Sequence, residues 1–442
     1  MEQIIKAVNK HRELILQAER YIWQNPETGY REVKTTNYLK EKFTELGYQV
    51  KIADGITGFY TEIDTGVQGP KILILAELDS IICKNHPESD KTTGAVHSCG
   101  HHTQSAALLG IAAALKEPNM LDGLCGKIVL CGVPAEELLE IEYRSELIKQ
   151  GKIKYFGGKS EFLSRGYFDG VDLAFMVHAS VQSCVRIGAV GCIAKQIIYK
   201  GKASHAGGAP WNGKNAFYAA TCGINACNAI RERFQEDDII RFHPIMTNGG
   251  SMVNAIPETA VLESYVRGKT YEGILSANKQ LNQALIGGAL AIGTNIEIID
   301  NPGYAPLVNN LEMIDIAQET YNKLFPEDTF TFMQSYNSGS TDMGDLSCIM
   351  PVVHPYIGGA KGTAHGSDYY IVDAEKACVN SAKWQIAMLK ELLKDGGNKA
   401  KEIVKNYKPM FNSKAEFLDY QDSISSKGDR IVYNDDKVEI KL

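Results

Sequence analysis

The residues best able to do chemistry in this 442-residue chain are the run His97-Ser98-Cys99-Gly100-His101-His102 and four polar positions downstream of it. Cys99 and His101 stand two apart, so an extended backbone there would turn both side chains to one face. A thiolate beside an imidazole suits Zn²⁺, Ni²⁺, Co²⁺ or Mn²⁺ better than Mg²⁺ or Ca²⁺. Pro134-Ala135-Glu136-Glu137 follows directly on an apolar stretch. Adjacent side chains diverge, so one of its carboxylates can bind metal while the other faces the water to be activated. An uncoordinated carboxylate in that place can take a proton from the water and later deliver it to a leaving amine. His178 closes the apolar run Leu-Ala-Phe-Met-Val, and His365 lies in the loop Gly362-Thr-Ala-His-Gly-Ser-Asp. Taken singly, each feature has an ordinary structural explanation, such as acidic residues at a helix start or a histidine ending a strand. Their recurrence at the ends of predicted core strands, or in the adjoining loops, points to a metal centre.

Those strand ends have to be brought together by the elements between them. The sequence predicts helices over residues 4–23 and 34–46 and strands over 48–52, 58–63 and 72–76. The last of these, ILILA, has no polar alternation and reads as a strand covered on both faces. A small-residue helix over 105–115 and strands over 127–133 and 173–177 follow. Strands alternating with helices imply an α/β sandwich, and open sheets of that kind place their sites at strand ends. Near residue 189 the pattern changes to a strand over 192–199, a helix over 215–233, strands over 239–244 and 259–267, a helix over 271–292 and a strand over 295–299. This β-α-β-β-α-β order is the split unit of a ferredoxin-like domain. A helix over 310–324, an apolar segment over 352–357 and a helix over 374–393 then resume the α/β character. The expected organisation is an α/β/α catalytic, metal-binding domain with a mixed sheet (1–188 and 304–395). It is interrupted by a smaller inserted α+β domain (189–303) and followed by a polar extension (396–442).

Composition excludes several alternatives. A net charge of −7 weighs against nucleic acid or an anionic membrane as partner. No apolar run reaches the roughly 18 residues of a membrane span, and the N-terminal residues lack the apolar core of a secretory signal. The ten cysteines are scattered rather than densely spaced, and all but Cys99 read as buried free thiols of a reducing compartment, the cytoplasm. Neither the nucleophile elbow of a serine hydrolase nor the phosphate-cradling loop of an NTPase is present.

With these residues in place, the chain resembles the M20 family of metallopeptidases over about residues 13–393, in the amidohydrolase branch of aminoacylase-like and hippurate-hydrolase-like enzymes. The motifs occur in order: Asn25-Pro26-Glu27, Ala76-Glu77-Leu78-Asp79, His97 to His101, Pro134 to Glu137, His178, Gly201-Lys-Ala-Ser-His205-Ala, Asn254-Ala-Ile-Pro, Arg267, Ser340-Thr-Asp-Met-Gly-Asp345 and Ala364-His365-Gly. The segments around His178 and Pro210-Trp211 look most like the subgroup of aminobenzoyl-glutamate hydrolases and β-alanyl dipeptidase-like proteins. The resemblance implies a ferredoxin-like lid and two divalent ions, zinc foremost, with Mn, Co or Ni as alternatives. It assigns Cys99, His101, Glu137, His178 and His365 to metal binding, with the Cys99 sulfur bridging. It makes Glu136 the general base and Asp79 a carboxylate behind the ligands. His205 would stabilise the oxyanion, across a dimer, and Asn254 and Arg267 would hold a substrate carboxylate. The implied reaction is metal-dependent hydrolysis of a small-molecule amide, an N-acyl amino acid or dipeptide, by a homodimer or higher homo-oligomer. The alternatives are an aminobenzoyl-glutamate or β-alanyl dipeptide hydrolase of the same chemistry, and a non-catalytic binding relative. The chain departs from the family pattern at His102 and Gln104, at Glu77, and in an insertion from Leu138 to about Lys159. These positions bear on substrate identity rather than on reaction type.

Overall fold

The computed structural model describes residues 1–434 and 437–442. The chain divides into two compact units. The first comprises Met1–Gly188, Leu307–Tyr336 and Thr341–Lys414, and the second Ala189–Pro306, Asn337–Ser340 and Ala415–Leu442.

The first unit is built on a six-stranded sheet in the order Lys51–Ile52, Phe59–Asp64, Lys127–Val133, Lys71–Glu77, Leu173–Phe175, Val352–Val353. The last four strands run parallel, and Phe59–Asp64 is antiparallel to its neighbour Lys127–Val133. Lys71–Glu77 and Lys127–Val133 bury every residue but the first, which is why they read as unbroken apolar runs. The helix His101–Leu115 packs on Lys71–Glu77 and against the helices Arg12–Trp23 and Ser381–Leu393. It is buried along its whole length and needs no polar face. Because the four strands are parallel, the residues that follow them emerge at one edge of the sheet. These are Asp79, Glu136 with Glu137, His178 and His354.

Several elements differ from the sequence reading. The first helix is broken at His11 (φ −104°, ψ 14°) into Glu2–Lys10 and Arg12–Trp23. The helix expected from 105 begins at His101, because the polar residues 101–104 are buried and helical. The apolar segment 352–357 is two short strands: Val352–Val353 closes the main sheet, while Tyr356–Ile357 pairs with His178–Ala179 in a small second sheet. The insertion after Glu137 folds into the helices Ile141–Lys149 and Gly158–Ser164.

The second unit has the strand order Arg241–Phe242, Thr259–Gly268, Gly191–Lys200, Asn295–Pro302, Ser426–Asp429, all neighbours antiparallel. The helices Ala216–Ala229 and Tyr271–Ile292 pack on each other and on the sheet. They approach closely where a Cβ on Gly288 would lie 2.3 Å from the nitrogen of Gly223. Side chains of Asn215 and Thr270 cap the two helices. Ile193, Ile197, Leu262, Leu281 and Ile298 lie in the core between them. Among the described residues, those beyond 396 do not form a body of their own. The helix Asn398–Asn406 packs on Ser381–Leu393 in the first unit, and Ser426–Asp429 adds an edge strand to the second.

Candidate active site

The Cys99-Gly100-His101 segment is a turn, which corrects the expectation of an extended backbone. Gly100 N–H donates to the carbonyl of His97 (3.0 Å), and Gly100 has a φ of +102°. A side chain there would also meet the Tyr369 hydroxyl, 2.5 Å from the ideal Cβ position, so glycine is required on both counts. The chain reverses into the buried helix, and Cys99 and His101 converge for that reason. Two main-chain contacts then fix the imidazoles. His101 Nδ1–H donates to the carbonyl of Asp79 (3.0 Å) and lies 3.2 Å from the Asp79 Oδ1 atom. His178 Nδ1–H donates to the carbonyl of Ala179 (2.7 Å). Each neutral ring therefore presents the lone pair of Nε2, and the Nε2 of His178 lies 3.5 Å from the Cys99 sulfur. His365, at φ +65°, is tied in by its own N–H to the carbonyl of Ser98 (2.8 Å). Its Nε2 is 2.9 Å from Glu137 Oε1.

Donor atoms of Cys99, His101 and His178 lie within 4.8 Å of one another, and so do those of Cys99, Glu137 and His365. The sulfur belongs to both groups. Asp79, fully buried, joins the two halves: while Oδ1 faces His101, Oδ2 accepts the N–H of Glu137 (2.8 Å). Glu136 is buried, with Oε2 3.8 Å from His101 Nε2. The structure thus assembles all five sequence-predicted ligands with Glu136 and Asp79 in the first unit.

Sequence reasoning gave no role to a buried ion network beneath these residues. Glu77 Oε2 lies 3.2 Å from His101 Nε2 and accepts from Gln104 Nε2 (2.8 Å). Its Oε1 accepts from the buried Lys159 ammonium (2.6 Å), which also donates to Asp342. Glu77 and Gln104 are two of the departures from the family pattern, and they turn out to be partners. That coincidence, together with the place of Asp342 in the Ser340–Asp345 motif, was the signal available in the sequence. His354, buried beside His178 with ring centroids 5.9 Å apart, was missed because no motif contains it.

Electrostatics follow from this packing. Burial and Glu137 push the Cys99 thiol up, but His101 and His178 outweigh them and hold it at about 6. Burial likewise opposes ionisation of Glu137, yet His365 draws it down to about 2; Glu137 in turn lifts His365 to about 11. Glu136 is raised well above the ordinary carboxylate range by burial, then by Glu77 and Glu137. His101 Nε2 and Glu137 Oε1 are buried and, although Glu77 and His365 lie within ion-pair distance of them, neither makes a well-aligned hydrogen bond, an unfavourable state for polar atoms unless a cation meets them. A thiolate, imidazoles and a carboxylate with such orphaned atoms fit divalent metal.

In the second unit, His205 Nδ1 accepts the N–H groups of Gly207 (3.2 Å) and Gly208 (2.8 Å). The neutral ring therefore carries its proton on Nε2. Asn254 stands beside it: its carbonyl accepts the N–H of Ala206 (2.9 Å), and His205 pairs with Ala255. Arg267 lies elsewhere. Its Nη1 donates to Ser340 Oγ (2.6 Å), near the far end of the strand Thr259–Gly268. At about 3.3 Å per residue, that strand puts Arg267 about 26 Å from Thr259.

The chain belongs to peptidase family M20/M25/M40, whose pattern matches residues 74–391. It is 29% identical to the human Xaa-Arg dipeptidase over 371 residues, 79% of this chain and 78% of the relative. It is 28% identical to the N-acetyl-L-cysteine deacetylase of Bacillus subtilis, over 69% of this chain and 71% of that protein. Among solved structures it is similar to a Bacillus subtilis protein described as a dinuclear metal-binding peptidase of the M20 family, with a TM-score of 0.63 at 20% identity over 87% of this chain and 99% of that one. The fold is the catalytic α/β domain with an inserted ferredoxin-like domain, and the protein is a metal-dependent amide hydrolase of the M20 family.

Proposed function

We propose that this enzyme hydrolyses the amide bond of an N-acyl amino acid or dipeptide bearing a free carboxylate, using two divalent cations held by Cys99, His101, Glu137, His178 and His365. The observation that carries the reading is the sharing of one sulfur between two donor groups, Cys99 with His101 and His178 and Cys99 with Glu137 and His365. A thiolate in that position favours zinc, with Mn, Co or Ni as substitutes. When bound, such ions lower the pKa of water and polarise the scissile carbonyl.

The remaining steps belong to the chain's own residues. Glu136 accepts the proton of the attacking water and delivers it to the leaving nitrogen. Asp79 keeps the His101 proton on Nδ1 and, through Glu137 N–H, keeps both halves of the site in register. Arg267 holds the substrate carboxylate, a task suited to a guanidinium fork. His205 Nε2–H donates to the carbonyl oxygen as it gains charge, with Asn254 beside it. The separation of Arg267 from the His205–Asn254 pair supports a homodimer in which these two groups act on one substrate from different protomers. Ten cysteines outside any disulfide favour a reducing compartment, the cytoplasm.

Glu136→Gln with metal retained tests the assignment. Its kcat should fall about 10²- to 10⁴-fold, measured on a panel of acyl-amino acids, aminobenzoyl-glutamate and β-alanyl dipeptides after metal reconstitution. Near-normal turnover with full metal content would reject the role.

A further inference from the structure

The turn carrying Glu136 and Glu137 is braced by the insertion that follows it. Arg144, on the helix Ile141–Lys149, is 1% exposed. Its Nη1 donates to the carbonyls of Phe156 (2.8 Å) and Ala135 (3.4 Å), and its Nη2 to the carbonyl of Glu137. All three acceptors are main-chain atoms, and two of them flank Glu136. One planar cation therefore holds the peptide group that precedes Glu136 and the one that follows Glu137. The turn needs holding, since Ala135 sits at φ +57°, a conformation that persists for a residue with a Cβ only where the surroundings over-determine it. Space for the guanidinium is also built in: a Cβ on Gly29 would lie 2.4 Å from Nη2. Phe156, the third acceptor, leads into the helix Gly158–Ser164, where Gly158 N–H donates to the same Ala135 carbonyl (3.3 Å).

We propose that Arg144 is a positioning residue for amide hydrolysis, fixing the direction of the Glu136 carboxylate by clamping the carbonyls of Ala135 and Glu137. The role rests on the reading of Glu136 as general base. A carboxylate displaced by about 1 Å can lose about 10² in rate, and the clamp acts at that scale.

The test compares metal-loaded wild type with Arg144→Met, Arg144→Lys and Glu136→Gln. Arg144→Met should lower kcat about 100-fold with KM and metal content close to wild type. Arg144→Lys, which keeps the charge and most of the volume but reaches fewer carbonyls, should recover part of the loss and guards against a Met variant that fails to fold. Wild-type kcat in both Arg144 variants, beside an inactive Glu136→Gln, overturns the positioning role alone. Metal lost in proportion to activity also overturns it, because Arg144 would then serve Glu137 instead. An active Glu136→Gln overturns the base assignment and the positioning role together.

Discussion

At the scale of single residues, the site turns on the Cys99 sulfur. It forms one donor group with His101 and His178 and another with Glu137 and His365, and its thiol is held at about 6, so it is an anion at neutral pH. A serine hydroxyl keeps its proton there and would be a poor shared ligand for the two cations proposed above. Cys99→Ser should therefore retain at most one ion per chain after dialysis, against two for wild type, as read by elemental analysis. His354 makes a separate prediction. Burial, against the opposing pull of Glu77, holds it at about 3, far below its ordinary 6.5. A histidine buried neutral contributes stability that is complete above its unfolded pKa. That stability is lost as pH falls from 6.5 towards 3, because the unfolded chain binds the proton first. The loss from one such residue is at most about 1.4 kcal/mol per pH unit. His354→Gln removes it, so the variant's Tm should fall less than that of wild type between about pH 7.5 and about pH 5.

At the scale of elements, the two short helices of the insertion decide how the Glu136–Glu137 turn is supported. The helix Gly158–Ser164 begins against the backbone of Pro134: a Cβ at 158 would lie 1.6 Å from the Pro134 carbonyl oxygen. Gly158→Ala must push the turn or the helix aside. It should destabilise the protein by about 1–3 kcal/mol and lower kcat, measured by denaturant unfolding and by turnover. The next residue, Lys159, carries the buried ammonium that joins Glu77 to Asp342. The composition of residues 138–159 gives no hint of this, because Arg144 and Lys159 look like any surface cations until their partners are known. The central strands were legible for the opposite reason. Lys127–Val133 matches its expected bounds, since two-sided burial leaves an apolar run that chain-local reading detects. The first helix was over-extended because its apolar stripe continues across His11 while the backbone does not.

At the scale of the whole molecule, the question is which groups act together. His205 and Asn254 lie at one end of the strand Thr259–Gly268 and Arg267 near the other. If they serve one substrate from two protomers, inactive variants should complement. Mixing His205→Ala with Glu136→Gln under conditions of subunit exchange gives hybrid dimers in which one of the two sites has wild-type composition. Random exchange should restore up to about one quarter of wild-type activity, whereas a monomeric enzyme, or one completing each site from its own chain, restores none. The C-terminal residues also gain meaning only at this scale, with Ser426–Asp429 completing the edge of the second unit's sheet beside Asn295–Pro302. Its polar sequence, SKGD, carries no strand signal of its own, because an edge strand is specified by its neighbour's free backbone groups rather than by apolar side chains.

The sequence by itself determined the chemistry and the order of the elements. Thiol, imidazole and carboxylate types are fixed by composition, and periodicities of two and 3.6 residues mark strands and helices locally. Tertiary structure decided which of those groups meet. It turned Cys99 and His101 together through a left-handed glycine, joined the halves of the site through Asp79, drew Arg144 and Lys159 inward, and parted Arg267 from Asn254. Such contacts depend on where distant segments pack, and no pattern within a dozen residues encodes that.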